Sequence, residues 1–320
     1  MKVSIIMCSY NTSHYIGKAI ECILAQSYTD WELIISDDRS KDNSVDVIKP
    51  YLSDPRIQLY VQEQNQGYVK NKNSAMRRAT GELVTQLDSD DMCPPDRIEK
   101  QVNVFITHPE IKICGSDFRA IGVDDKPLNV IEFDSYDRVY KEDFLVTEPA
   151  LKYPFWFPGL MWRKELFDEI GYYPEYFSGI YGDDHYWTFK ANQKYPIYFL
   201  KDCLYYYRIN PGSITNVLDD KRKLIAQDVI AELHRLVTET GTDWLEQGKP
   251  EEGLAFEQQL FNNKPLMAKR YGMWAAKAVD KKNWAQAKDL LKKHFSQSKT
   301  DIAGYRTLLY YIRSRYLSKG

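Results

Sequence analysis

Four short apolar runs in the first 91 residues, separated by segments of helical period, constrain this chain more than any other feature. The runs are Lys2-Val3-Ser4-Ile5-Ile6-Met7, Trp31 to Ser36, Arg56 to Val61 and Glu82 to Leu87. Each has strand length, and the first and second are apolar enough to be buried on both faces, as in a parallel sheet. Between them Ile16, Ala19, Ile20, Ile23 and Leu24 repeat at helical spacing, with Thr12 or Ser13 placed to cap. Asn43 to Leu52 reads as a helix stopped after Pro50, and Tyr68 to Ala79 as a further helix. Strands alternating with helices in this way predict βαβ units and a mostly parallel α/β sheet. Right-handed crossovers then bring the strand ends carrying Tyr10, Asp38 and Asp88 to one rim.

The fourth run ends in Gln86-Leu87-Asp88-Ser89-Asp90-Asp91, and Pro94-Pro95 then open a helix. Three carboxylates therefore share a turn at the carboxyl end of a strand, where open α/β sheets place ligands. Crowded negative charges call for a cation, and an Asp-x-Asp spacing can offer two carboxylates to a divalent ion with oxygen ligands. Taken alone, the run fits a solvated acidic turn equally well. A second acidic pair, Asp183-Asp184 in Tyr181-Gly182-Asp183-Asp184-His185, opens another helix, where the macrodipole favours acids.

Four segments taken together are specific. Val3 to Asn11, Ile34-Ile35-Ser36-Asp37-Asp38-Arg39-Ser40, Asn65-Gln66-Gly67 with Asn73, and Gly81 to Asp91 resemble, in order and spacing, family 2 glycosyltransferases of the GT-A fold. The resemblance runs from Met1 to about Asn216. It implies a Rossmann-like, mostly parallel sheet flanked by helices, a nucleotide-diphospho-sugar donor (a UDP-sugar first), Mn²⁺ or Mg²⁺, and inversion at the anomeric carbon. It also implies donor contacts from Ser9, Tyr10, Asp38, Asn65, Gly67, Asn73, Asp88 and Asp90. Tyr10 would lie against the nucleobase and Asp38 would accept from a base N–H; half-buried packing and a helix cap are the alternatives. Asp90 would hold the metal, Asp88 the ribose or metal, and Asp91 either task or a helix cap.

By position Asp184 matches the family's catalytic base and Asp183 the acid before it. A carboxylate partly desolvated under a bound substrate can take a hydroxyl proton. The chain departs from the family pattern at Lys72, where many relatives have Arg, at Tyr186, where many have an acid, and at Asn210, where His is frequent. Arg208 suits a phosphate or a structural ion pair, and His185 suits packing or a solvent-facing helix flank. Trp156 and Tyr176, in aromatic-dense segments, suit acceptor contact or packing. Asp117 to about Tyr153 reads as a hairpin and an irregular connection.

The expected organisation is a catalytic region 1–216, with a donor half 1–117 and an acceptor half 118–216, followed by a helical region 217–320. Five scattered cysteines predict reduced packing residues and a cytoplasmic setting, with no signal peptide, membrane span or glycine-rich phosphate loop. Residues 277–320 carry 11 Lys and Arg against 3 Asp and Glu, net +8, leaving net −10 for residues 1–276. Tyr305, Leu308, Leu309, Ile312 and Tyr316 form one stripe of the last helix, bordered by basic residues. That stripe suits contact with an inner-membrane surface, dimerisation or packing on the catalytic region. The function expected is sugar transfer to a glycan or lipid-linked acceptor in bacterial surface polysaccharide synthesis, with no nucleic-acid partner and no oligomeric state implied. A catalytically silent nucleotide-sugar scaffold is the alternative. A nucleotidyltransferase would show a basic glycine-rich loop where this chain has Ser9-Tyr10-Asn11-Thr12.

Overall fold

The apolar runs form the expected strands, and three of the four, all but the run at Arg56 to Val61, find cover on both faces. In the computed structural model, which describes residues 1–128, 137–141, 157–210, 217–218 and 220–317, β1 (Val3–Ser9) and β2 (Trp31–Asp37) are buried almost throughout. They pair in parallel, Ser9 opposite Asp37. On the other side of β2 lies β3 (Ile57–Val61), and on the other side of β1 lies β4 (Leu83–Gln86), both parallel. Gly81 admits no side chain at the entry to β4, since a Cβ there would sit 2.6 Å from the Lys2 carbonyl oxygen.

Among the described residues the sheet has eight strands in the order β3-β2-β1-β4-β7-β5-β8-β6, the last four in sequence being β5 (Ile113–Ile121), β6 (Arg138–Tyr140), β7 (Met161–Arg163) and β8 (Ile197–Arg208). β7 runs antiparallel between β4 and β5, β8 is parallel to β5, and β6 is an antiparallel edge. The chain moves outward from β1 through β2 and β3, then returns to place β4 on β1's other flank. The ends of β1 and β4 therefore face a topological switch point, the crevice in which such sheets bind ligands.

Helices α1 (Ile16–Leu24), α2 (Ser44–Ile48), α3 (Tyr68–Met76), α4 (Arg97–Thr107), α5 (Leu166–Ile170) and α6 (Asp183–Asn192) accompany these strands. Ile16, Ala19, Ile20 and Ile23 are the buried face of α1, as their spacing predicts. Neither Thr12 nor Ser13 caps it; the Thr12 carbonyl accepts from Ile16 N–H, while its hydroxyl lies 3.2 Å from that of Ser9. The helix expected over Asn43–Leu52 tightens after Ile48 into a 3₁₀ segment, Lys49–Ser53, with Pro50 in its first turn. Of the expected hairpin after Asp117, β5 extends to Ile121, which bridges to Pro127; residues 129–136 and 142–156, Trp156 among them, lie outside the described residues.

The chain divides into two compact units, Met1–Ser178 with Gly182–Ser213, and Gly179–Tyr181 with Ile214–Gly320. The second consists of α7 (Ala226–Thr240), α8 (Pro250–Asn262), α9 (Lys264–Asp280), α10 (Trp284–Gln297) and α11 (Ile302–Ile312). Its helices are pinned by Arg222–Glu257 and Arg270–Asp228 ion pairs of 2.6 and 2.7 Å. The buried His294 ring wedges against Gly272 and Gly304, with Nδ1 2.7 Å from the Ala268 carbonyl oxygen. All five cysteines are free thiols, and among the described residues no helix is long and apolar enough to cross a membrane.

Candidate active site

At the ends of β1 and β2 two loops lock together. Asn11, at φ +55°, donates its N–H to Ser40 Oγ at 2.9 Å and accepts from Lys41 N–H at 2.7 Å. Asp42 accepts from Ser13 N–H and Ser44, and these bonds outweigh its burial and hold its carboxyl down at about 2. Tyr10 stands on this rim with 42% of its surface exposed, an open aromatic face, whereas Ser9 is enclosed. Asp38 lies behind it with both carboxylate oxygens braced, Oδ1 by Gln66 N–H at 2.7 Å and Oδ2 by Gly67 N–H at 2.9 Å. Asn65 donates to the Asp38 carbonyl at 3.1 Å, and Gly67 turns the chain at φ +84°. Burial pushes the Asp38 carboxyl up against the opposing pull of those two N–H groups. Asp38, Asn65 and Gly67, far apart in sequence, thus form one cluster, in which each oxygen of the buried Asp38 carboxylate accepts one backbone N–H.

The three acids after β4 have different surroundings. Asp88 and Asp90 are half-buried at the rim, while Asp91 is buried. Burial pushes the Asp88 carboxyl up to about 6, with the Lys72 charge opposing. Burial also raises Asp90, whose Oδ2 accepts from Asn210 Nδ2 at 3.3 Å. The Asp91 side chain instead ties β8 to the turn, accepting from Tyr205 OH at 2.7 Å and Arg208 N–H at 2.7 Å. It neither caps α4, which begins at Arg97, nor faces the rim.

Arg208 is likewise structural. Its guanidinium is buried, donating to the Asp90 and Gly122 carbonyls at 2.6 and 2.8 Å and pairing with Asp125 at 2.6 Å. The phosphate role expected as one option for Arg208 therefore gives way to the ion pair. Asn73 is a second correction. Its amide is buried and exchanges both hydrogen bonds with the Tyr173 backbone, at 2.7 and 3.1 Å, so it splints α3 to the segment before α6 rather than reaching a donor. Asn73→Ala leaves two buried backbone groups unpaired and is expected to cost about 2–3 kcal/mol of stability. A lower denaturant midpoint with unchanged m-value checks this.

The acids of α6 reach the same crevice. Gly182, left-handed at φ 113°, precedes the helix, and Trp187 anchors it by donating Nε1–H to the Gly171 carbonyl at 2.7 Å. Asp184 is half-buried, and its Oδ1 accepts from His185 N–H at 2.7 Å. Asp183 is buried, and its carboxyl is pushed up to about 7 by burial, with Lys72 opposing. The His185 ring packs 5.2 Å from Phe157, which is the packing option for that residue.

Sequence reasoning missed the part played by Lys72. It is 1% exposed on α3, with Nζ 3.7 Å from Asp183 Oδ2 and 3.9 Å from the centre of the Tyr68 ring. Burial works against its charge, but Asp183, Asp88 and Asp184 more than offset this and raise its pKa. One ammonium group therefore links the acids after β4 to those of α6. Neither Nζ nor Asp183 Oδ2 has a hydrogen-bond partner, so the attraction between them is purely through space. The available signal was a lysine between two asparagines on the buried side of a helix.

Among the described residues no three His, Cys, Asp or Glu side chains gather as a metal cage. The half-buried carboxylates of Asp88 and Asp90 at the rim are oxygen donors of the kind that Mg²⁺ or Mn²⁺ takes, and with few protein ligands such an ion would keep water or substrate oxygens. Burial raises both carboxyls, and a cation would relieve that penalty.

Sheet order, switch-point crevice and acidic rim define a GT-A-type nucleotide-diphospho-sugar transferase fold. Residues 4–171 match the profile of glycosyl transferase family 2, and the chain belongs to that family. It is 36% identical over 151 residues to TuaG of Bacillus subtilis, named for teichuronic acid biosynthesis, covering 47% of this chain and 57% of TuaG. It is 38% identical over 104 residues to the Escherichia coli UDP-Glc:α-D-GlcNAc-diphosphoundecaprenol β-1,3-glucosyltransferase WfgD, covering 32% of this chain and 41% of WfgD. The chain thus spans about half the length of the curated relatives it matches. The structure of S. aureus TarS 1–349 in complex with UDP shares the fold with TM-score 0.57 and 20% identity, over 96% of this chain and 91% of that one.

Proposed function

We propose that this chain is an inverting, metal-dependent glycosyltransferase. It moves a sugar from a UDP-sugar to a hydroxyl of a glycan or lipid-linked acceptor in bacterial surface polysaccharide synthesis, on the cytoplasmic face of the inner membrane. The observation that carries this reading is the convergence of Asp88, Asp183 and Asp184 on the buried Lys72, with Asp90 beside them at the rim. One ammonium group offsets only part of the repulsion among four acids crowded at a switch point, and a diphosphate with its cation would offset the rest. The UDP assignment draws on the Asp38 cluster and on WfgD and TarS, whose names carry UDP-glucose and UDP. The catalytic domain of this reading is residues 1–216, followed by the helical region.

The residue roles follow from placement. Tyr10 gives a face to the nucleobase, Asp38 accepts from it, and Asp88 holds the ribose or shares the metal. Asp90 would hold a divalent cation, which when bound would supply Lewis-acid stabilisation of charge on the departing diphosphate. Asp184 takes the acceptor's hydroxyl proton as that oxygen bonds to the anomeric carbon. The bond to the diphosphate breaks on the opposite face, and its electron pair leaves with UDP.

The test is UDP release from a panel of UDP-sugars with Mn²⁺, Mg²⁺ or EDTA. Release from one sugar is expected to require the metal and to fall about 100-fold or more in Asp90→Asn. No release, together with no metal-dependent thermal stabilisation by any nucleotide-sugar, would return the chain to the silent-scaffold reading.

A further inference from the structure

Helix α11 continues through a π-turn, Arg313–Leu317, and its inward side is fixed by two contacts. A Cβ on Gly304 would fall 1.8 Å from His294 Nε2, so the backbone there lies directly on that ring. Tyr311 packs edge-on against Trp284 at 6.1 Å. A different stripe faces water. Ile302, Tyr305, Leu309, Ile312 and Tyr316, spaced three and four apart, are 69, 49, 66, 39 and 59% exposed. Single exposed apolar residues are ordinary, but five on one stripe need an occupant. Exposed Arg306 and Arg313 border it, within the segment of net charge +8.

We infer that this stripe is a docking face for an anionic phospholipid bilayer. Ile302, Leu309 and Ile312 enter the acyl boundary, Tyr305 and Tyr316 lie at headgroup level, and the arginines meet lipid phosphates. Charge selects this occupant. A cationic border around an apolar stripe complements an anionic surface, whereas a symmetric dimer through this stripe would set one strongly basic tail against another. The inference rests on the membrane part of the proposed function and on neither the donor nor the base assignment.

The test is co-sedimentation of the full chain with phosphatidylcholine vesicles containing about one-third phosphatidylglycerol, compared with pure phosphatidylcholine. Binding is expected to the anionic vesicles only and to weaken as salt rises. Leu309→Glu/Ile312→Glu should weaken it about tenfold or more, with helix content and UDP release in solution unchanged. Arg306→Glu/Arg313→Glu should remove its salt-sensitive part. No binding to anionic vesicles overturns the inference, as does binding that both variants leave intact, or a stripe-dependent dimer that ignores vesicles. Failure of the transferase reading would look different: vesicle binding would persist without UDP release from any sugar.

Discussion

Asp184→Asn is expected to lower sugar transfer by about 10²–10⁴-fold while leaving UDP binding within a few-fold of wild type. Asn has the shape of Asp, and its carbonyl can keep the 2.7 Å bond from His185 N–H that orients this side chain in the first turn of α6. What it loses is the ability to take a proton. The acceptor hydroxyl, or the water that replaces it in slow hydrolysis, then attacks without a base, and the loss falls on kcat rather than on donor affinity. UDP release rates set beside calorimetric UDP affinity separate the two. Turnover that survives in Asp184→Asn would move the base to Asp183, the neighbouring acid whose carboxyl burial pushes up to about 7.

The difference in burial between those two acids was not available in the sequence, and the reason is general to this site. Strands β1, β2 and β4 were legible because both their faces are covered, so Val3, Ile5, Leu33 and Leu83 leave an unbroken apolar signature. The acids after β4 were legible as a group for the same reason, since they interrupt it. The separate roles of Asp91 and Asn73 depend on partners 100 or more residues away: Tyr205 and Arg208 take Asp91 out of the site, and Tyr173 takes Asn73. Local spacing carries no trace of such pairs. The last helix shows the same limit. Its period marks the stripe of Tyr305, Leu309 and Tyr316, but the side that packs is decided by Gly304 against His294.

Lys72→Met is expected to destabilise the protein in a strongly pH-dependent way. An acid held above its unfolded pKa of about 3.9 makes the folded state less stable as pH rises between the two values, because the unfolded chain releases a proton that the buried carboxyl keeps. Asp183, pushed up to about 7, imposes such a fall between roughly pH 4 and 7, and Lys72 at 3.7 Å limits it. At pH 5 Asp183 is already protonated, so removing the ammonium costs little beyond its packing against Tyr68. Near pH 9 the variant must either bury an unpaired carboxylate or take up a proton, and the loss should approach about 3–5 kcal/mol. Lys72→Arg, which keeps the charge, should recover part of it. Denaturant unfolding of the metal-free protein at both pH values measures the difference. An equal loss at pH 5 and pH 9 would mean that Lys72 fills space rather than holds charge. A loss confined to high pH would mean that one buried ammonium keeps the acids on the two sides of the crevice ionised at the pH where they work.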